Sequence, residues 1–353
     1  MINYRKNLKD MPVYDVVENP WRVKVNANEC NMNLPPLVFE RVMSRLSSIA
    51  FNRYPNEEED LLKEAIANNF SLNKKNILLG GGSSEIIEKL FYSFGGDNQK
   101  IVYPAPSFSM YKIYAYAAEA NGIAFPLNND YTLDADKFIE TVNRENASLA
   151  VICNPNNPTG GAVGVDIIEK IAQNINCPFL VDEAYMEFYG KSAAKLLKKY
   201  PKLLIARTFS KAYGLAAARV GYLLADEKII DMVGRSFMPY HINTLSLVTA
   251  DIAYQMRNEY EPRIAMTIAE RKRMAKELEK IKDVIVYPSE TNFLLIKVKD
   301  GDKLNETFIR RNIGVRSFKS AKYLENCLRI SMGLREENDE IIEVIKLFSE
   351  GRD

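Results

Sequence analysis

Short apolar runs punctuate the chain between residues 77 and 224: ILLG, KIVYP, LAVIC, CPFLVDE, KLLIART and VGYLL. Stretches such as 84–94 and 166–174 lie between them and carry apolar residues at helical spacing. Strand-like runs alternating with helical ones predict an α/β fold, a mostly parallel sheet with helices on both faces. LAVIC and FLV hold no polar position, as expected of strands covered on both sides. In such a sheet the functional loops follow the carboxyl ends of the strands.

After about residue 245 the pattern changes. A long helical stretch rich in Lys, Arg and Glu covers 257–281. Two strand candidates follow at 284–287 and 292–298, then a helix at 302–311, two short strands and a closing helix. This reads as a smaller α+β domain. The first residues contain Pro12, Pro20, Pro35 and Pro36 with little periodicity, which predicts an extended arm. The expected organisation is an arm over 1–36 packed on the small domain, a large domain over 37–245 and a small domain over 246–353.

Composition narrows the function. The chain has 353 residues, 47% hydrophobic and 26% charged, enough for a large core and more than one ordinary domain needs. Lys and Arg number 47 against 46 Asp and Glu, so no whole-protein field gathers nucleic acid or an anionic membrane. The expected partner is a small molecule. Cys30, Cys153, Cys177 and Cys327 form no CxxC pair, which argues against disulfides or a zinc site and for a reducing compartment. The opening MINYRKNLKD lacks the apolar core of a signal peptide, and no later run is long and apolar enough to span a bilayer. A cytoplasmic protein is expected. There is one histidine, His241, so acid–base work must fall to a tuned lysine, a carboxylate or a cofactor.

Four loops carry candidate chemistry, each directly after a predicted strand. In the first, Gly80-Gly81-Gly82-Ser83-Ser84 leads into a helix, where free backbone N–H groups suit an anion. An ordinary glycine turn with a Ser cap fits the same residues. The second, Asn154-Pro155-Asn156-Asn157-Pro158-Thr159-Gly160, is a rigid turn that fixes an asparagine amide, or simple punctuation. In the third, Asp182 ends a buried strand with Tyr185 three residues on. A charge there is costly unless it meets a cation or several donors. The fourth is Thr208-Phe209-Ser210-Lys211-Ala212-Tyr213-Gly214 with Arg219 beyond it, and its apolar neighbours argue that Lys211 is not a solvated surface lysine.

As an ordered set, PNNPTG, VDEAY and TFSKAYGLAAARVG resemble the fold-type I pyridoxal-phosphate enzymes of the class I/II aminotransferases, most closely the histidinol-phosphate aminotransferases. The resemblance runs from VNANE to CLRISMGLREEN. It implies a pyridoxal-phosphate-dependent transferase fold with pyridoxal 5'-phosphate held as a Schiff base on Lys211. It makes Asp182 the partner of the pyridine nitrogen, and Asn157 and Tyr185 donors to the phenolic oxygen. Phe108 would stack on the ring. Ser83, Ser84, Thr208, Ser210 and Arg219 would hold the phosphate, and Tyr54 would reach it from the partner subunit, which implies a homodimer. A buried carboxylate beside the ring nitrogen keeps that nitrogen protonated, as an electron sink requires, and a freed lysine is a competent base.

For substrate, the resemblance places Arg329 at the acidic group and Arg316 near a distal phosphate. One arginine fork suits the carboxylate of glutamate or the phosphate of histidinol phosphate. Tyr14, Asn28 and Glu29 match substrate-facing positions, although the arm departs from the usual tyrosine-x-proline-glycine form. His241 is expected to line the pocket or the subunit interface. The implied reaction moves an amino group between L-histidinol phosphate and 2-oxoglutarate. Alternatives are an aminotransferase for another phosphorylated or aromatic substrate, a threonine-phosphate decarboxylase, or a pyridoxal-phosphate-binding regulator. No basic helix-turn-helix segment precedes the core to favour the last.

Overall fold

A computed structural model describes residues 8, 11–12, 19–55, 57–319 and 321–352. Its strands are β1 (Val23–Lys24), β2 (Ile77–Gly80), β3 (Lys100–Ala105), β4 (Asn121–Pro126), β5 (Leu149–Cys153), β6 (Phe179–Asp182), β7 (Leu203–Thr208) and β8 (Gly221–Leu224). After these come β9 (Ile285–Val286), β10 (Phe293–Lys297), β11 (Ile313–Gly314), β12 (Arg316–Ser317) and β13 (Cys327–Ser331).

The main sheet has seven strands in the order β2-β8-β7-β6-β5-β3-β4. Only β8 runs against its neighbours, so the other six point the same way and end at one edge. The period of two along each strand divides its side chains between two cores. Ala150 and Ile152 of β5 join one apolar cluster, whereas Leu149 and Val151 join the cluster on the opposite face. This is why LAVIC is apolar throughout. Four of the runs read as strands end on Gly80, Cys153, Asp182 and Thr208, and the four candidate loops therefore gather at the common carboxyl edge.

The second sheet is antiparallel, β12-β13-β10-β9, and it packs with the Glu261–Leu278 and Arg335–Ser349 helices over a third core. The sequence suggested one helix over 257–281. The structure has a 3-10 turn, Arg257–Tyr260, followed by the helix Glu261–Leu278, because Pro262 lacks an N–H and fits only the first turn of a helix. β1 pairs in parallel with β11, and Val25 N–H donates to Gly314 O at 3.0 Å. These two strands form a sheet of their own; Ser331 N–H of β13 donates to Val25 O at 2.9 Å, and the residues just beyond β1 run on between the two larger sheets.

Candidate active site

Asp182 closes β6 with 3% of its surface exposed. Tyr111 Oη donates to its Oδ2 at 2.8 Å, and Ala184 N–H to its Oδ1 at 3.2 Å. Two donors hold the carboxylate plane, yet burial still pushes the Asp182 carboxyl up to about 6. Among the described residues no ion pair closes on it, although the charge of Lys211 favours its ionised form, and a protonated ring nitrogen is one group that could supply a close cation.

Lys211 lies three residues past β7, and its Nζ donates to Ala27 O at 3.1 Å. Burial pulls the Lys211 ammonium down to about 8, with the positive charges of Arg329 and Arg219 adding to the effect. An amine so placed loses its proton far more readily than a surface lysine, which is what a nucleophile or base needs.

A cluster of donors that could seat an anion stands beside them. Ser83 and Ser84 open the Ser83–Phe94 helix, so their backbone N–H groups lack partners within it. Thr208 Oγ1 donates to Ser210 Oγ at 3.0 Å, and Arg219 Nη1 donates to the same Ser210 Oγ at 3.2 Å. Gly82 adopts φ +85°, and a Cβ there would lie 2.6 Å from Arg219 Nη2. Glycine therefore both makes the left-handed turn and lets the guanidinium close on it.

The small sheet completes the cluster from above. Arg329 in β13 donates from Nη1 to Asn157 Oδ1 at 2.7 Å and from Nη2 to Asn26 O at 2.6 Å. Its guanidinium also lies 5.4 Å from the centroid of the Phe293 ring. Asn28 Nδ2 donates to Tyr185 Oη at 2.8 Å, while Asn28 N–H donates to Ser331 Oγ at 2.9 Å. Burial holds the Tyr185 hydroxyl well above its ordinary value. Arg316 stands directly opposite Arg329 in the β12–β13 ladder.

Most of the residues singled out in the sequence thus converge: Lys211, Asp182, Tyr185, Asn157, Asn28, Arg329 and Arg316 at the junction of the sheets, and Ser83, Ser84, Thr208, Ser210 and Arg219 at the seat. Phe108 packs edge-on against Tyr111, with centroids 5.5 Å apart. Tyr54 stands apart, 76% exposed and stacked at 4.6 Å on Tyr240, which is also exposed. Tyr14 lies outside the described residues.

Tyr111, Asn26 and the pair Glu183–Arg207 carry no assignment in the sequence reading. Arg207 donates to Glu183 Oε2 from Nε at 3.1 Å and from Nη2 at 2.9 Å, with Glu187 3.6 Å away. Ala193 N–H and Ser192 Oγ satisfy Glu183 further, at 2.7 and 2.8 Å. This buried network clamps the ends of β6 and β7, the strands that present Asp182 and Thr208.

Comparison with known proteins gives a consistent picture. The family "Aminotransferase class I and II" matches residues 22–345. Curated relatives include the histidinol-phosphate aminotransferase of Thermoanaerobacter sp. (strain X514), 39% identical over 342 residues that cover 97% of each chain. That of Clostridium novyi (strain NT) is 37% identical over 343 residues, covering 97% of this chain and 96% of the relative. Among solved structures, the histidinol-phosphate aminotransferase from Sinorhizobium meliloti in complex with pyridoxal-5'-phosphate superposes with a TM-score of 0.89 at 20% identity. That superposition covers all of this chain and 99% of the other.

Proposed function

The chain belongs to the class I and II aminotransferase family, and from that premise we propose that it transfers an amino group between L-histidinol phosphate and 2-oxoglutarate, a step of histidine biosynthesis. The cofactor is pyridoxal 5'-phosphate. When bound, it supplies an electron sink for the substrate's reacting carbon and a carbon that carries the amino group between half-reactions.

The residues present fit that group. The glycine turn, the N–H groups of Ser83 and Ser84, the Thr208–Ser210 hydroxyls and Arg219 form a seat with the donors a phosphate needs. Asp182 would meet the ring nitrogen, Asn157 and Tyr185 the phenolic oxygen, and Phe108 one face of the ring. Lys211 Nζ would form the covalent link. Freed by the substrate amine, it would take the proton from the substrate's reacting carbon, a task its lowered affinity for protons suits. Arg329 would hold the acidic end of each substrate, and Arg316 opposite it would supply a second positive charge for a phosphate.

The observation that carries this reading is the 2.7 Å bond from Arg329 to Asn157. It supports a substrate-reading arginine on the small sheet working at the edge of a cofactor seated on the large one. The proposal includes a cytoplasmic homodimer. Its support is four free cysteines and an outward aromatic and aliphatic set, Tyr54, Tyr240, Phe51 and Met238, each more than half exposed. No helix among the described residues is long and apolar enough to cross a membrane. The test is direct: purified enzyme given L-histidinol phosphate and 2-oxoglutarate yields glutamate. Release of carbon dioxide from threonine phosphate, with no glutamate formed, would reassign the reaction.

A further inference from the structure

The chain's one histidine sits against the anion seat rather than in it. Both ring nitrogens of His241 face oxygen: Nδ1 lies 2.9 Å from Met238 O, and Nε2 lies 3.3 Å from Leu79 O and 3.9 Å from Glu85 Oε2. Leu79 belongs to β2, an edge strand of the main sheet, two residues before Gly81. Glu85 is the third residue of the Ser83–Phe94 helix, and its Oε2 accepts the Gly81 N–H at 2.5 Å. The glycine turn is therefore gripped twice, by Glu85 at Gly81 N–H and by Arg219 Nη2 at Gly81 O, 3.4 Å away. The grip by Glu85 puts a negative charge beside the place where a phosphate would sit.

Among the described residues, the groups facing the imidazole are few. Glu85 comes from the helix, β2 offers the Leu79 carbonyl, and the loop of His241 offers the Met238 carbonyl and the Phe237 ring, 5.0 Å away between centroids. Arg235 of the same loop is engaged with Asp231 at 2.9 Å. A neutral imidazole has one N–H and satisfies one of its two carbonyls, whereas the protonated ring donates to both and faces a carboxylate.

We propose that His241 is a positioning residue for the phosphate seat: it holds the Leu79 carbonyl at the end of β2 and, in its protonated form, offsets the charge of Glu85, so that Glu85 fixes the glycine turn without repelling the cofactor's phosphate. This rests on the reading that the turn seats that phosphate. His241 touches no reacting atom in it, and acts through Leu79 and Glu85.

The test compares binding of pyridoxal phosphate and of pyridoxal, which lacks the phosphate, to the apo-protein by equilibrium dialysis. His241→Phe is expected to weaken pyridoxal phosphate about fivefold, the scale of one partly screened charge pair, and to leave pyridoxal unchanged. Glu85→Gln added to His241→Phe is expected to restore most of the loss. If His241→Phe does not fold, His241→Gln keeps a donor for Leu79 and removes the charge, and the same split is expected. Because the histidine is single, its ring proton resonances are assigned without ambiguity, and inorganic phosphate added to apo-protein should move them. Equal losses for both vitamers, no rescue by Glu85→Gln, or unmoved resonances overturn the proposal. Wild-type protein that binds both vitamers alike overturns instead the seat on which it rests.

Discussion

Replacing Tyr111 with Phe removes one oxygen from the core and leaves the ring in place, so its effect reports on Asp182 alone. The Asp182 carboxylate has two donors, Tyr111 Oη at 2.8 Å and Ala184 N–H at 3.2 Å, and the variant keeps only the second. A hydrogen bond to a charged group is worth about 1.5–3 kcal/mol, and about 1.4 kcal/mol moves a pKa by one unit. The carboxyl already stands at about 6 because of burial, and the Tyr111 bond pulls against that rise. Losing the bond sends it up by about one to two units further. The ionised form, which the ring nitrogen needs, is then filled only at higher pH. The acid limb of the kcat profile should therefore move up by roughly 1–2 pH units, with activity near pH 7 reduced several-fold and largely recovered above pH 8. The assay is amino transfer at saturating substrate from pH 5.5 to 9, alongside an absorbance titration of the bound cofactor. An acid limb that coincides with wild type in a folded Tyr111→Phe protein refutes the link. A Tyr111→Phe change that still moves the limb in an Asp182→Asn background shows that it acts elsewhere.

Borohydride reduction of the holoenzyme is expected to fix the cofactor on Lys211, and peptide mapping that finds the label on another lysine removes the assignment. Arg329→Lys should raise the Michaelis constants for glutamate and histidinol phosphate together by roughly thirty-fold or more, as a fork that bonds Asn157 and Asn26 becomes a point charge. If only glutamate suffers, Arg316 is the phosphate reader. Mixing subunits of Lys211→Ala with subunits of an inactive Tyr54 variant should restore part of the activity if sites are shared, and an active monomer in sedimentation excludes sharing. Arg207→Met strips the cation from the buried Glu183 and Glu187 and should cost about 3–5 kcal/mol in urea unfolding. A loss below about 1 kcal/mol would mean that the network relaxes around the change.

The large sheet was legible where burial is complete and obscure where it is not. LAVIC, FLVD and LLIART are wholly buried, and each advertises itself by an apolar run, LAVIC throughout and FLV and LLIA up to the polar residues that close their strands. The strand NGIAFP at Asn121–Pro126 escaped notice because it pairs only with β3 at the sheet's edge and buries one residue of six. A strand with one partner needs no continuous apolar face, and its proline is tolerated where no further strand asks for an N–H. The site divides along the same physical line. Lys211, Asn157 and Arg219 lie in loops and Asp182 at the last position of a buried strand, where a costly polar residue calls for a chemical reason. Tyr111 lies in the helix Met110–Ala117 beside the buried Tyr114 and Ala115, and there its ring reads as one more apolar position. Its hydroxyl matters only because the fold carries β6 to it, 71 residues further along the chain. Asn26 was hidden more deeply still, since Arg329 uses its backbone carbonyl and any residue type would supply that. Glu183 and Arg207 are each adjacent to a residue the motifs do assign, Asp182 and Thr208. Alternation along a strand sends neighbours to opposite faces, so one residue of each pair goes to the chemistry and the other to the clamp that holds it. Motif reading follows the first face, and only the folded chain reveals that Glu183, next to Asp182, and Arg207, next to Thr208, meet each other on the second.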